Sequence, residues 1–247
     1  MKKNQKIMKL LLLLVIIVGV SVVNNSCSSD SSSSYTCDTC ANTPDALAEN
    51  DGLAKGIYKG IMVGSSGTIS INVQNGTNTV TATMVLDGDT ILLTATITPT
   101  DGQIYISPFT GTYNGSPISI TFSVAANGSM PTIVTSDIPG HPNASFQIYK
   151  ETSTSLIEAF EGDYTVSDGQ TGIFNIILSR EFGEYSGIAK ENGSNEVSDI
   201  EGYYQDDGDI TNEDGTVVLG RISGDELNGS FRDSDNDLVT INGQRTL

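Results

Sequence analysis

The chain has 247 residues and carries 30 Asp+Glu against 12 Lys+Arg, for a formal charge of -18, with 26 Gly, 3 Cys, one His and no Trp. Apart from its first 26 residues, which hold four Lys and no acid, it has 30 acids against 8 bases, a charge of -22. That balance excludes the basic surface that phosphate neutralisation requires, and a single imidazole without well-spaced thiols removes most metal and nucleophile chemistry.

Lys2, Lys3, Lys6 and Lys9 form a positive start, and Leu10 to Val23 is an apolar run of 14 residues interrupted only by Gly19 and Ser21. As a helix at about 1.5 Å per residue the run reaches roughly 21 Å, short of the ~30 Å hydrocarbon layer. Residues 1–26 therefore read as a cleaved export signal.

The run ends in Val22-Val23-Asn24-Asn25-Ser26-Cys27, and here the chain resembles a bacterial lipoprotein precursor: charged start, short apolar run, small residue, Cys, polar tether. Asn24 stands where that family commonly has Leu. The resemblance implies that the Cys27 sulfur takes a diacylglyceryl group and that its amine is acylated, with palmitate-type chains, after cleavage. The opening Cys27-Ser28-Ser29-Asp30 is similar to outer-membrane lipoproteins of the Bacteroidetes group, in which acids close behind the Cys accompany display on the cell surface. It implies an exported protein whose membrane partner is reached through acyl chains, each buried methylene contributing about 0.8 kcal/mol.

Ser28 to Ser34 contains no apolar residue, so 27–42 is expected to be a flexible tether. Within it, Cys37-Asp38-Thr39-Cys40 is open to three readings: a local disulfide, free thiols, or a redox or metal pair. A redox pair would stand at a helix start in a βαβ frame, and an exported chain meets an oxidising compartment, which favours the disulfide.

From residue 43 onward, strands and turns dominate. Ile69, Ile71 and Val73 alternate with polar residues before Asn75-Gly76; Val80 to Leu86 leads into Asp87-Gly88, and Ile91 to Ile97 into Asp101-Gly102. Asn114-Gly115, Asn127-Gly128 and Asp207-Gly208 continue the series. Apolar alternation punctuated in this way predicts hairpins in an antiparallel meander. Two helical segments are expected, Thr43 to Glu49 with Pro44 at its first turn, and Ser153 to Phe160.

Each of these precedes a Gly-x-aromatic triplet, Gly56-Ile57-Tyr58 or Gly162-Asp163-Tyr164, followed by a Gly-bounded turn and a strand. A third pair matches Gly111-Thr112-Tyr113 with Gly229-Ser230-Phe231. The pattern predicts an all-β protein of two similar barrel-like or sandwich-like domains, residues 43–150 and 151–247, with about eight strands each. A short helix, Gly-x-aromatic and a meander resemble lipocalin-like barrels, with Tyr58 or Tyr164 where that family usually has Trp.

Residues 27–150 hold 9 acids and 3 bases, whereas 151–247 hold 21 acids and 5 bases. The second domain therefore favours cations or basic partners, or is simply a solvated acidic surface. Asp233, Asp235 and Asp237 alternate in one loop, as carboxylates converging on Ca²⁺ would, but Leu238 and Gln244 occupy the EF-hand Gly and Glu positions, which favours a solvated hairpin turn. Asp206, Asp207 and Asp209 form a second such turn, and His141 lies in a Pro-bounded loop. No cofactor and no catalytic residue is assigned. The expected function is a non-catalytic binding or structural module of the cell envelope, without a nucleic-acid partner and with a barrel mouth or groove lined by Tyr, Phe and apolar groups. The alternative is a surface-attached hydrolase using paired carboxylates, as glycosidases do.

Overall fold

The computed structural model describes residues 34–63, 67–194 and 196–247, and nearly all of its regular structure is strand. The first eight strands are β1 (Gly56–Val63), β2 (Gly67–Val73), β3 (Val80–Leu86), β4 (Asp89–Ala95), β5 (Tyr105–Tyr113), β6 (Ser116–Val124), β7 (Thr132–Asp137) and β8 (Ser145–Glu151). They form one antiparallel sheet in the order β7-β6-β5-β4-β3-β2-β1-β8. The next eight are β9 (Ile157–Val166), β10 (Thr171–Ser179), β11 (Glu184–Glu191), β12 (Val197–Tyr204), β13 (Asp209–Asn212), β14 (Val218–Ser223), β15 (Glu226–Arg232) and β16 (Leu238–Arg245). These close into a barrel in chain order, with β16 pairing back onto β9.

The two units share one topology. In each, successive strands are neighbours and the eighth returns beside the first; β8 lies against β1 as β16 lies against β9. They differ at one seam, because β7 and β8 are not hydrogen-bonded to each other whereas the second barrel has no free edge. Two-residue turns set the register as the sequence predicts: Asp87-Gly88 joins β3 to β4 and Asn114-Gly115 joins β5 to β6, all four residues at positive φ. A left-handed pair matches the natural strand twist, which is why Asn-Gly and Asp-Gly mark these corners.

Both expected helices are corrected by the structure. Near the first there is only a 3-10 turn, Ala48–Asn50, whose preceding Leu47 provides no side-chain cap. Three residues cannot repay helix nucleation, and the turn is held from outside, with Asn75 Oδ1 accepting from the Leu47 amide and the Asn50 side chain at 3.0 Å each. The second segment is a turn at 153–154 and strand from Ile157: Ile157 and Ala159 face the first unit while Phe160 enters the barrel, and Glu158 is buried where a helix would have shown a polar face. The third repeat pair is also not equivalent, since Gly111 to Tyr113 lie in the fifth strand of the first unit and Gly229 to Phe231 in the seventh of the second.

The inner face of the first sheet is filled. Tyr58, Phe109 and Phe122 are fully buried, with Phe122 5.0 Å from the Tyr58 ring and 6.3 Å from the Phe109 ring, and Met62 and Met84 occupy the space around them. The Tyr58 hydroxyl donates to the Ala54 carbonyl oxygen at 2.8 Å beneath the 3-10 turn.

The units meet along β1, β8, β9 and β10. Ile61 packs with Ile157, Ala159 and Ile177, and the Asn175 amide donates to the Met62 carbonyl oxygen at 3.0 Å. Beside them the fully buried Glu151 pairs with Lys59 at 2.6 Å and accepts from the backbone amides of Asp45 and Ile157. A single carboxylate thus ends one sheet and fixes the start of the next.

Part of the segment expected as tether is docked. Cys37 and Cys40 are joined in a disulfide, the Tyr35 amide donates to Glu226 at 2.5 Å, the Cys37 amide to Asp225 at 2.9 Å, and the Ala41 carbonyl accepts from Arg245. The described end of the tether is therefore fastened to the second barrel. Residues 1–33, including the expected signal segment and Cys27, lie outside the described residues. No helix among the described residues is long and apolar enough to cross a membrane.

Candidate functional site

The second barrel encloses a cavity of about 530 Å³ that opens at one end. Alternate side chains of each strand point inward, so β10 contributes Phe174 and Ile176, β15 contributes Leu227 and Phe231, and β16 contributes Val239 and Ile241. Residues that add little or no side chain leave the space open. Gly202 lets the Tyr185 ring lie flat on β12, where a Cβ would come within 2.9 Å of it, and Gly243 does the same for Phe174. Tyr185 spends its hydroxyl on the Thr211 carbonyl oxygen at 3.0 Å, so the lower well offers an apolar surface.

The mouth is acidic. Asp168 comes from the connection after β9, Glu191 from the end of β11, Glu196 from the connection after it and Asp199 from the start of β12, and the connection after β15 adds Asp233, Asp235 and Asp237. Among the described residues, no Lys, Arg or His lines the cavity. Burial pushes the Tyr164 and Tyr185 phenols above their ordinary value, with a further contribution from Glu191 of the rim for Tyr164 and from Glu201, on the outer face of β12, for Tyr185. Negative charge is thus disfavoured throughout the well, and positive charge is favoured at its entrance.

The opposite end is closed by charge. Glu158, the second residue of β9, takes Arg180 on both oxygens at 2.5 and 3.0 Å and Arg245 at 3.3 Å. Arg245 also reaches Asp225 at 3.3 Å. Glu158 and Arg245 are only 2 % and 4 % exposed, and the disulfide-bearing segment lies across this base.

The residues singled out in the sequence fall in different places. Asp233, Asp235 and Asp237 do reach one mouth, but the described residues contain no group of three His, Cys, Asp or Glu able to hold a metal ion. The loop itself uses two of these carboxylates. Asp233 accepts from the amides of Asp235 and Asp237, while Asp237 accepts from the Ser167 hydroxyl at 3.0 Å. In the other acidic turn, Asp207 and Asp209 pair with Arg221 at 3.3 and 2.7 Å. His141 Nε2 lies 3.2 Å from Asp87, at the turn between β3 and β4 of the first unit, and is not among the residues lining the cavity.

Sequence reading did not distinguish the hollow barrel from the filled one, because both halves carry inward-facing glycines, Gly60 and Gly111 in the first and Gly202 and Gly243 in the second. The base cluster was missed as well, because nothing in local spacing links Glu158, Arg180 and Arg245. Comparisons of the chain with protein-family models, with curated proteins and with solved structures found no match.

Proposed function

We propose that this chain is an exported envelope protein, anchored at the outer membrane by acyl chains on Cys27, and that its second barrel binds a small amphipathic cation without transforming it. The observation that carries the reading is the pairing of an apolar well with a rim of carboxylates and no basic lining residue. An apolar body entering the well gains about 25 cal/mol per Å² removed from water, while an ammonium or guanidinium head left at the mouth keeps partial hydration and meets Asp199 and Asp235. An anionic head in the same place would face seven lining carboxylates. The filled first barrel serves as the rigid body against which the hollow one is mounted.

Isothermal titration of the full chain with octylammonium, octanol and octanoate tests the binding reading. The ammonium is expected to bind tightest and octanoate to show no heat of binding, with Ile200→Trp abolishing the ammonium signal by filling the well. Octanoate binding as tightly as octylammonium would overturn it. The anchor is tested separately by metabolic labelling with a radioactive fatty acid, which should mark the wild type and be lost, together with the membrane fraction, in Cys27→Ser.

A further inference from the structure

A second concavity, of about 310 Å³, lies outside the barrel where the wall formed by β10 to β12 meets β8. It is not part of the barrel interior. Three rings face it and remain largely open to solvent, Tyr149 at 43 %, Phe182 at 63 % and Tyr203 at 48 % exposure. Glu184, Glu201 and Glu213 line the same space, and none of them is in an ion pair among the described residues.

The strand register fixes how these groups face one another. Glu184 is opposite Tyr203 and Ser186 is opposite Glu201, so the two carboxylates stand diagonally on one face with the Tyr203 ring beside them. Diagonal neighbours are about 7 to 8 Å apart, a span that a planar cation with donors on two edges can bridge. Two of the cleft's hydroxyls are engaged within the protein, because Tyr149 pairs with Ser186 and Ser186 in turn donates to Gln147. Lys150 borders the cleft but turns its ammonium to the carbonyl oxygens of Asn50, Leu53 and Lys55.

The same barrel holds an internal counterpart. Arg180 lies over the Tyr204 ring at 5.3 Å from its centroid and forks onto Glu158 with bonds of 2.5 and 3.0 Å. One residue earlier on β12, and therefore on the other face, Tyr203 stands with Glu184 and Glu201 and has no basic side chain over it. We propose that the cleft between the barrels is a binding site for an arginine side chain carried by a peptide segment of a partner protein, the guanidinium seated between Glu184 and Glu201 against the Tyr203 ring. Two like charges held near each other favour the cation that separates them, and the ring adds cation–π attraction that a neutral ligand lacks. This site stands apart from the barrel well and does not depend on what the well binds.

The absence of Trp from the chain provides the reporter. Phe182→Trp places the one tryptophan in the cleft, and its emission is followed while the full chain is titrated with acetyl-Gly-Gly-Arg-Gly-Gly-amide and with its citrulline and lysine counterparts. A saturable change with the arginine peptide is expected, weaker with lysine and absent with citrulline. Glu201→Gln in the same background should weaken binding about tenfold, the loss of one charge-assisted hydrogen bond, whereas Asp89→Asn, an equal charge change on β4, should leave it unaltered. Isothermal titration of the unsubstituted chain with the same peptides should give the same order. No saturable change with the arginine peptide in either measurement, an equal response to citrulline, a response to a neutral oligosaccharide in its place, or a Glu201→Gln variant no different from Asp89→Asn would overturn the assignment.

Discussion

Glu158 has no water to fall back on, and that decides what its substitution does. With 2 % of its side chain exposed and two arginines on its oxygens, Glu158→Gln leaves Arg245 buried beside a neutral amide. Breaking a buried pair from one side costs about 3 to 5 kcal/mol, and because Arg245 keeps Asp225 at 3.3 Å, urea denaturation should show a loss near or below the lower end of that range. Arg180 is 42 % exposed, and its contribution is screened; Arg180→Gln should cost less than about 1 kcal/mol in the same experiment. The tyrosines give a second residue-level prediction. Burial raises the phenols of Tyr58 and Tyr185 above their ordinary value. Since the folded state holds the neutral form more tightly than the unfolded state does, their stabilising contribution is complete below the unfolded value near 10 and is lost as pH rises above it. Absorbance at 295 nm should therefore show part of the phenolate signal appearing only together with alkaline unfolding, and Tyr185→Phe should shift that unfolding to higher pH. Tyr58 was legible as the aromatic of its Gly-x-aromatic triplet, whereas Glu158 and Tyr185 could not be picked, because their burial depends on strands distant along the chain.

Among elements, β7 is the weak edge of the first sheet. It is six residues long, mostly exposed, irregular in register opposite Thr121 and Phe122, and paired only with β6. Hydrogen exchange followed by mass spectrometry should find Thr132–Asp137 exchanging well before β2, whose residues are paired on both sides and largely buried. Equal protection of the two would mean that the seam beside β8 is closed in solution. Hairpins were the most legible elements, since Asp87-Gly88 and Asn114-Gly115 carry their own backbone preference and need no distant partner. The helical readings failed for the converse reason. Leu156, Ile157 and Phe160 suit a helix face locally, but Ile157 finds Ile61 and Ile177 on one side of a strand while Phe160 fills the barrel on the other. Tertiary burial at period two outweighs a local preference worth a few tenths of a kcal/mol per residue.

At the scale of the whole molecule, two barrels of one topology differ in what they contain: one is packed with aromatic and sulfur-bearing side chains, the other holds an open well beneath carboxylates. All-β class, strand number and meander order were legible because they rest on alternation and turns; the filling was not, because inward volume is known only once register is fixed. The 21 acids in residues 151–247 should make the chain's thermal stability rise with ionic strength. Because Asp233 is engaged by amides of its own loop and Asp237 by Ser167 of the connection after β9, CaCl₂ should raise the melting temperature no further than NaCl at matched ionic strength. A calcium-specific rise abolished by Asp235→Asn would contradict that. The docked disulfide segment also sets a direction. Tyr35 and Cys37 are fastened to Asp225 and Glu226, in the turn between β14 and β15, while the acidic rim comes from the alternate connections at the other end of the same staves. Only eight peptide steps separate residue 27 from residue 35, at most about 28 Å when fully drawn out. On the proposed attachment through Cys27, the tether joins the described barrel at its sealed floor, so the pull of the anchor enters at the end opposite the acidic mouth.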